Sequence, residues 1–122
     1  MAVLVTGGAG YIGSHTCVEL LNAGEDIIVI DNFYNSKPKA IEAIKEITGR
    51  DFRFYENDCC DREALDRIFR ENFITEVIHF AGYKAVGESV QKPIEYYRNN
   101  LDTTLTLLEV MRAHGVKKIG FS

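Results

Sequence analysis

Cysteine, proline and runs of like charge are all scarce in this chain. Its three cysteines, Cys17, Cys59 and Cys60, are too few and too irregularly spaced for a disulfide framework or a C-x-x-C metal site. That usage fits a reducing compartment, and the expected location is cytoplasmic. Pro38 and Pro93 are the two prolines, and each stands at a predicted helix start. The 14 Lys and Arg are scattered and outnumbered by 18 Asp and Glu, for a formal net charge of −4. A surface for nucleic acid or anionic lipid needs clustered cations, so neither partner is expected. No apolar run approaches the ~20 residues of a membrane span; the longest clean one is Ile27 to Ile30. Met1 leads directly into Ala2-Val3-Leu4-Val5, with no basic leader, which predicts no signal peptide.

What is present is ordinary for a globular domain: 46% hydrophobic and 26% charged residues in 122 positions, room for one domain spanning 1–122. Short β-rich runs alternate with longer helical patterns. Strands are predicted at Ala2–Thr6, Asp26–Asp31, Phe52–Tyr55, Glu76–Phe80 and Lys117–Phe121. Helices are predicted between them. Tyr11–Asn22 carries Gly13, Cys17, Leu20 and Leu21 on one face. A short helix opened by Pro38 turns Ile41, Ile44 and Ile47 inward, and Gly49 closes it. Asp61–Asn72 has Asp61 as N-cap, with Leu65, Ile68, Phe69 and Asn72 at helical spacing. The longest runs from Pro93 to about His114, with Tyr97, Leu101, Thr104, Leu108 and Met111 on one face. Connections of this length require crossovers and a parallel sheet. The fold class is therefore α/β, a Rossmann-type doubly wound sheet with strand order 3-2-1-4-5. The chain stops at Ser122, inside or at the tip of the fifth strand, and that uncovered edge predicts part of a longer protein.

The strongest local signal is Thr6-Gly7-Gly8-Ala9-Gly10-Tyr11-Ile12-Gly13, between the first strand and the first helix. Gly7 permits the tight turn, Gly10 lets the backbone approach a pyrophosphate, and Gly13 lets the helix pack close to the sheet. The helix N-terminus then offers free N–H groups and a positive dipole end to phosphate. Such a trio alone is a weak signal, but its strand-to-helix context is the confirming one for dinucleotide binding. Asp31, ending the second strand, can accept hydrogen bonds from ribose hydroxyls and repel a 2′-phosphate, which favours NAD over NADP. Lys37 and Lys39 lie near enough to weaken that preference. Asp58 can accept from the adenine amino group or begin a capping turn with Asp61. Elsewhere the candidates are weaker. Ser14 and His15 are adjacent on a helix and cannot face each other. His79 reads as a packed imidazole at the core edge, and His114 as a favourable charge in a last helical turn. Cys59-Cys60 reads as two small buried residues, and Glu88 and Glu95 as solvated.

The spacing Gly7-x-x-Gly10-x-x-Gly13 resembles the extended short-chain dehydrogenase/reductase superfamily. The likeness runs from Val3 to Ser122. Asp31-Asn32 and Asn35-Ser36 are similar to its ribose-binding loop. The stretch His79-Phe80-Ala81-Gly82-Tyr83-Lys84-Ala85-Val86-Gly87-Glu88-Ser89-Val90 resembles the branch that epimerises UDP-hexoses more than the sugar-nucleotide dehydratases.

The resemblance implies a set of NAD contacts. Tyr11 and Ile12 offer backbone N–H groups to the pyrophosphate. Asp31, Asn32, Phe33, Tyr34, Asn35 and Ser36 hold the adenosine ribose, and Asp58 and Cys59 flank adenine. Phe80, Ala81, Gly82, Tyr83 and Lys84 line the nicotinamide side, with Asn99 from the long helix. The implied chemistry is reversible inversion at C4 of a UDP-hexose, by an isomerase of galactose metabolism that is a homodimer at full length. Its catalytic Tyr-x-x-x-Lys is not among these residues, since none of the six tyrosines has a lysine four positions on. The chain alone is thus expected to bind NAD and to be inactive, with no catalytic residue and no metal ligand assigned. Two alternatives stay open: another NAD-dependent sugar-nucleotide epimerase or dehydratase, and a noncatalytic NAD-binding module.

Overall fold

A computed structural model of the chain describes residues 2–8, 11–31, 39–57, 61–80 and 93–121. Among the described residues strands and helices alternate: β1 (Ala2–Thr6), α1 (Tyr11–Asn22), β2 (Ile27–Asp31), α2 (Lys39–Thr48), β3 (Arg53–Glu56), α3 (Arg62–Glu71), β4 (Ile74–His79), α4 (Pro93–Ala113) and β5 (Lys118–Phe121). All strand pairs are parallel, in the order β3-β2-β1-β4-β5 that the alternation predicts. Strand ends move by one or two residues from the predicted ones. No helix among the described residues is long and apolar enough to cross a membrane.

The period-2 geometry of the central strands divides the core in two. Leu4, Ile28 and Ile30 point to one face, where they meet Leu65, Ile68 and Phe69 of α3 and Leu107, Val110 and Met111 of α4. Val3, Val5, Ile27 and Val29 point to the other, against Cys17 and Leu21 of α1 and Ile41 and Ile44 of α2. Strands covered on both sides need apolar residues at every position, and every residue of β2 is buried. Leu65 and Ile68 are wholly enclosed, a burial of about 1.5–3 kcal/mol for each side chain.

Polar contacts fix where the outer elements stop. Asp61 has extended backbone and its Oδ1 accepts from the Ala64 N–H at 3.2 Å, which makes it the N-cap of α3. At the other end Asn72 Nδ2 donates to Ile68 O at 2.9 Å and to the Tyr55 hydroxyl at 3.1 Å, tying α3 to β3. His114, just past α4, is held by more than a helix dipole: its Nε2 lies 2.7 Å from Asp66 Oδ1, and its ring lies tilted by 33° against Phe69 with centroids 5.6 Å apart.

Two predicted helical faces are corrected. Ile41 and Ile44 of α2 are buried, but Ile47 is 69% exposed. Each three-residue step turns a helix about 60° short of a full turn, so the third isoleucine has rotated off the core stripe. On α4 the buried ones among the described side chains are Thr103, Leu107, Val110 and Met111, while Leu101 and Leu108 are exposed and Thr104 is partly so. Among the described side chains the core stripe is offset by one residue from the predicted one, and only Met111 belongs to both. The side chain of Tyr97 lies outside the described residues.

Candidate functional site

The site is built where β1 ends and α1 begins. Gly7 follows Thr6 with φ of +72°, a left-handed conformation that disfavours residues with a Cβ. Its N–H donates to Ile30 O at 2.8 Å, which ties the turn to β2. Gly8 comes next, and it is a residue that sequence reasoning missed. A Cβ there would stand 2.6 Å from Val29 Cγ1 and 3.2 Å from Cys17 Sγ. The turn therefore rests on β2 and α1 with no room for a side chain. Gly13 is also required, though for a different neighbour from the one expected: its missing Cβ makes space for the Gly7–Gly8 backbone, not for the sheet.

Cys17 forms the floor of this cradle. It is fully buried, and its Sγ lies 3.9 Å from Gly8 O, at the limit of a thiol hydrogen bond. Burial pushes the thiol up to about 12. It therefore stays protonated at neutral pH and acts as a small packing group, not as a nucleophile.

The turn delivers the chain into α1 with its first-turn N–H groups unused by the helix itself. No acidic residue occupies that first turn, so nothing there neutralises the positive end of the dipole. Asp31, the last residue of β2, is 7% exposed and lies at the same edge of the sheet. At the end of β4, next to β1, His79 is buried and hydrogen-bonded to Thr6, and Phe80 follows it. The structure thus brings Gly7, Gly13, Asp31 and Phe80 to one edge with the start of α1. Thr6 had no predicted role, and His79 was read only as packing. The other candidates lie outside the described residues: Gly10, Asn32, Phe33, Tyr34, Asn35, Ser36, Asp58, Cys59, Ala81, Gly82, Tyr83 and Lys84, with the side chains of Tyr11, Ile12 and Asn99.

This edge offers backbone N–H groups and a helix N-terminus, which suit an anion, beside a strand-end carboxylate, which can accept from hydroxyls. Among the described residues no group of three or more His, Cys, Asp or Glu is placed to hold a metal ion. A shallow groove of about 200 Å³, lined by Leu108, Met111, Val116 and Ile119 among others, lies beside the start of β5, away from this edge.

Residues 3–122 match the model of the NAD dependent epimerase/dehydratase family. The chain is 64% identical over 122 residues to UDP-glucose 4-epimerase of Bacillus subtilis (strain 168), covering 100% of this chain and 36% of that one. It is 57% identical over 126 residues to UDP-glucose 4-epimerase of Homo sapiens, covering 98% of this chain and 36% of that one. Among solved structures it is similar to UDP-glucose 4-epimerase from Bifidobacterium longum in complex with NAD+ and UDP. There the TM-score is 0.96 and the identity 58%, over 100% of this chain and 36% of that chain. The chain therefore spans about 36% of the length of these relatives. With the fold, the glycine cradle and these likenesses in agreement, the chain belongs to the NAD dependent epimerase/dehydratase family.

Proposed function

We propose that residues 1–122 form the NAD-binding domain of a UDP-glucose 4-epimerase, the part of that enzyme that holds the cofactor while the sugar is inverted at C4. The observation that carries this reading is the bare Gly7–Gly8 turn. It opens into a helix N-terminus free of acidic residues, and Asp31 stands at the end of the neighbouring strand. The shape of the turn depends on bare glycines, because Cβ atoms at Gly8 and Gly13 would displace the turn itself. The relatives' complexes with NAD support it.

When bound, NAD supplies reversible hydride acceptance. The residues of this chain bind and orient. The Gly7–Gly13 segment, with the backbone of Tyr11 and Ile12, cradles the diphosphate. Asp31 accepts from the adenosine ribose and disfavours a 2′-phosphate, with Asn32, Phe33, Tyr34, Asn35 and Ser36 around it. Asp58 and Cys59 flank adenine. Phe80, Ala81, Gly82, Tyr83, Lys84 and Asn99 serve the nicotinamide end. No Tyr-x-x-x-Lys occurs among the 122 residues, so the chain binds cofactor without epimerising UDP-hexose. The complete enzyme takes the UDP-hexose, pairs as a homodimer and works in the cytoplasm.

Calorimetric titration with NAD and NADP tests the reading. Saturable one-site binding that favours NAD is expected, with Gly10→Val abolishing it because the new side chain fills the space of the diphosphate. Absence of binding by folded protein overturns the proposal.

A further inference from the structure

The strand order reverses at one place in this sheet: β2 and β3 lie on one side of β1, β4 and β5 on the other. Ligands of open parallel sheets enter the crevice at the carboxyl ends of the strands that flank such a reversal. Here those ends are Thr6 and His79, which are register partners on β1 and β4. They are 0% and 6% exposed, and Thr6 Oγ1 lies 2.6 Å from His79 Nδ1. The Phe80 N–H donates to both oxygens of Thr6, to the carbonyl at 2.9 Å and to Oγ1 at 3.0 Å.

Packing alone does not call for this pair. The two preceding register pairs, Leu4 with Val77 and Val5 with Ile78, hold the same strands together with apolar side chains. A hydroxyl and an imidazole are costly to bury unless each is hydrogen-bonded. The polar pair stands only at the last rung. Beyond it one strand becomes the Gly7–Gly8 turn and the other becomes Phe80.

We infer that Thr6 and His79 are positioning residues for the nucleotide cofactor. Their hydrogen bond, joined by the Phe80 N–H, sets the separation between the glycine turn and the exit of β4 before ligand arrives. This rests on the NAD-binding reading above. One proton lies between Oγ1 and Nδ1, and the bond closes whichever atom carries it. A ligand that touches both segments binds more tightly when their separation is already set, because less ordering is left to the binding step.

The test is NAD titration of the folded 122-residue chain, with thermal melting measured in parallel. Thr6→Val keeps the side-chain shape without the hydroxyl, and His79→Leu removes the ring nitrogens. Each is expected to weaken NAD binding about tenfold, the scale of one buried hydrogen bond. The double variant is expected to lose no more than either single one. His79→Asn carries an amide that presents a donor or an acceptor where Nδ1 sits, and it is expected to stay within about threefold of the parent. His79→Gln, whose amide is one bond farther out, is expected to behave like His79→Leu. If the apolar variants do not fold, the Asn and Gln pair decides.

Equal affinities across all folded variants, with only melting temperature changed, would mean a purely structural pair and overturn the inference. Additive losses in the double variant, or Asn no better than Gln, overturn it too. Failure of the unsubstituted chain to bind NAD is a separate result, seen without any substitution, and it removes the parent reading together with this one.

Discussion

A Cβ on Gly13 would lie 2.3 Å from the carbonyl oxygen of Gly7. The neighbour is backbone, which cannot swing aside as a flexible side chain can. Gly13→Ala must therefore push α1 away from the turn it caps. Overpacking of this kind costs about 1–3 kcal/mol. The expected outcome is a lowered urea midpoint with an unchanged denaturant slope, and NAD affinity reduced in the protein that remains folded.

Gly8→Ala meets a different obstacle. Its Cβ would contact Val29 Cγ1 at 2.6 Å. Val29 is wholly buried and β-branched, so it has few rotamers to retreat into. Adding Val29→Ala removes that obstacle. The double variant is expected to melt above Gly8→Ala alone, although Val29→Ala by itself lowers stability. Simple additivity of the two melting shifts would show that Gly8 is not limited by this contact.

How much of this was legible in the sequence depends on where each residue finds its partner. Gly7 sits between an apolar strand and a helix, and that local context identified its turn. The sheet order followed from the strand–helix alternation, and the burial of β2 from its run of apolar residues at Ile27–Ile30. Gly8 was missed because its constraint comes from Val29, which only the fold brings near. Thr6 and His79 are 73 residues apart, and no spacing rule connects them. On α4 leucines occur on two sides of the helix. The choice of Leu107 over Leu108 is made by α3 and the sheet, not by the helix's own periodicity.

Asp31→Ala tests cofactor selectivity. If the proposed ribose role holds, removing this buried strand-end carboxylate takes away the acceptor for ribose hydroxyls and the repulsion of a 2′-phosphate. The ratio of NAD to NADP affinity is expected to fall, chiefly through weaker NAD binding. Paired titrations measure it, and an unchanged ratio contradicts the ribose assignment.

The contact between Asp66 and His114 gives a pH dependence with a definite sign. The side-chain hydrogen bond from His114, with smaller contributions from Arg70 and Arg62, holds the Asp66 carboxyl below its ordinary value. A depressed carboxylate contributes stability above its unfolded pKa, ~3.9 for aspartate. That contribution is lost as pH falls through the lower folded value. Asp66→Asn is expected to lower the urea midpoint at pH 5 and above and to converge with the parent toward pH 2. Asp51 is shifted in the same direction by Lys45, but its side chain is 86% exposed, so solvent screens that contact.

The sheet is also a partition between two populations of side chains that tolerate change differently. Trimming Leu65 or Ile68, on the α3 and α4 side, lowers overall stability while leaving the contour of the cofactor cradle intact. Trimming Val29 or Cys17, on the other side, alters the bed on which Gly8 rests. Changes at Leu65 and Ile68 are therefore expected to register in stability, and changes at Val29 and Cys17 in cofactor affinity as well. A designer seeking a hardier scaffold should begin at those α3 positions, which lie away from the glycine turn.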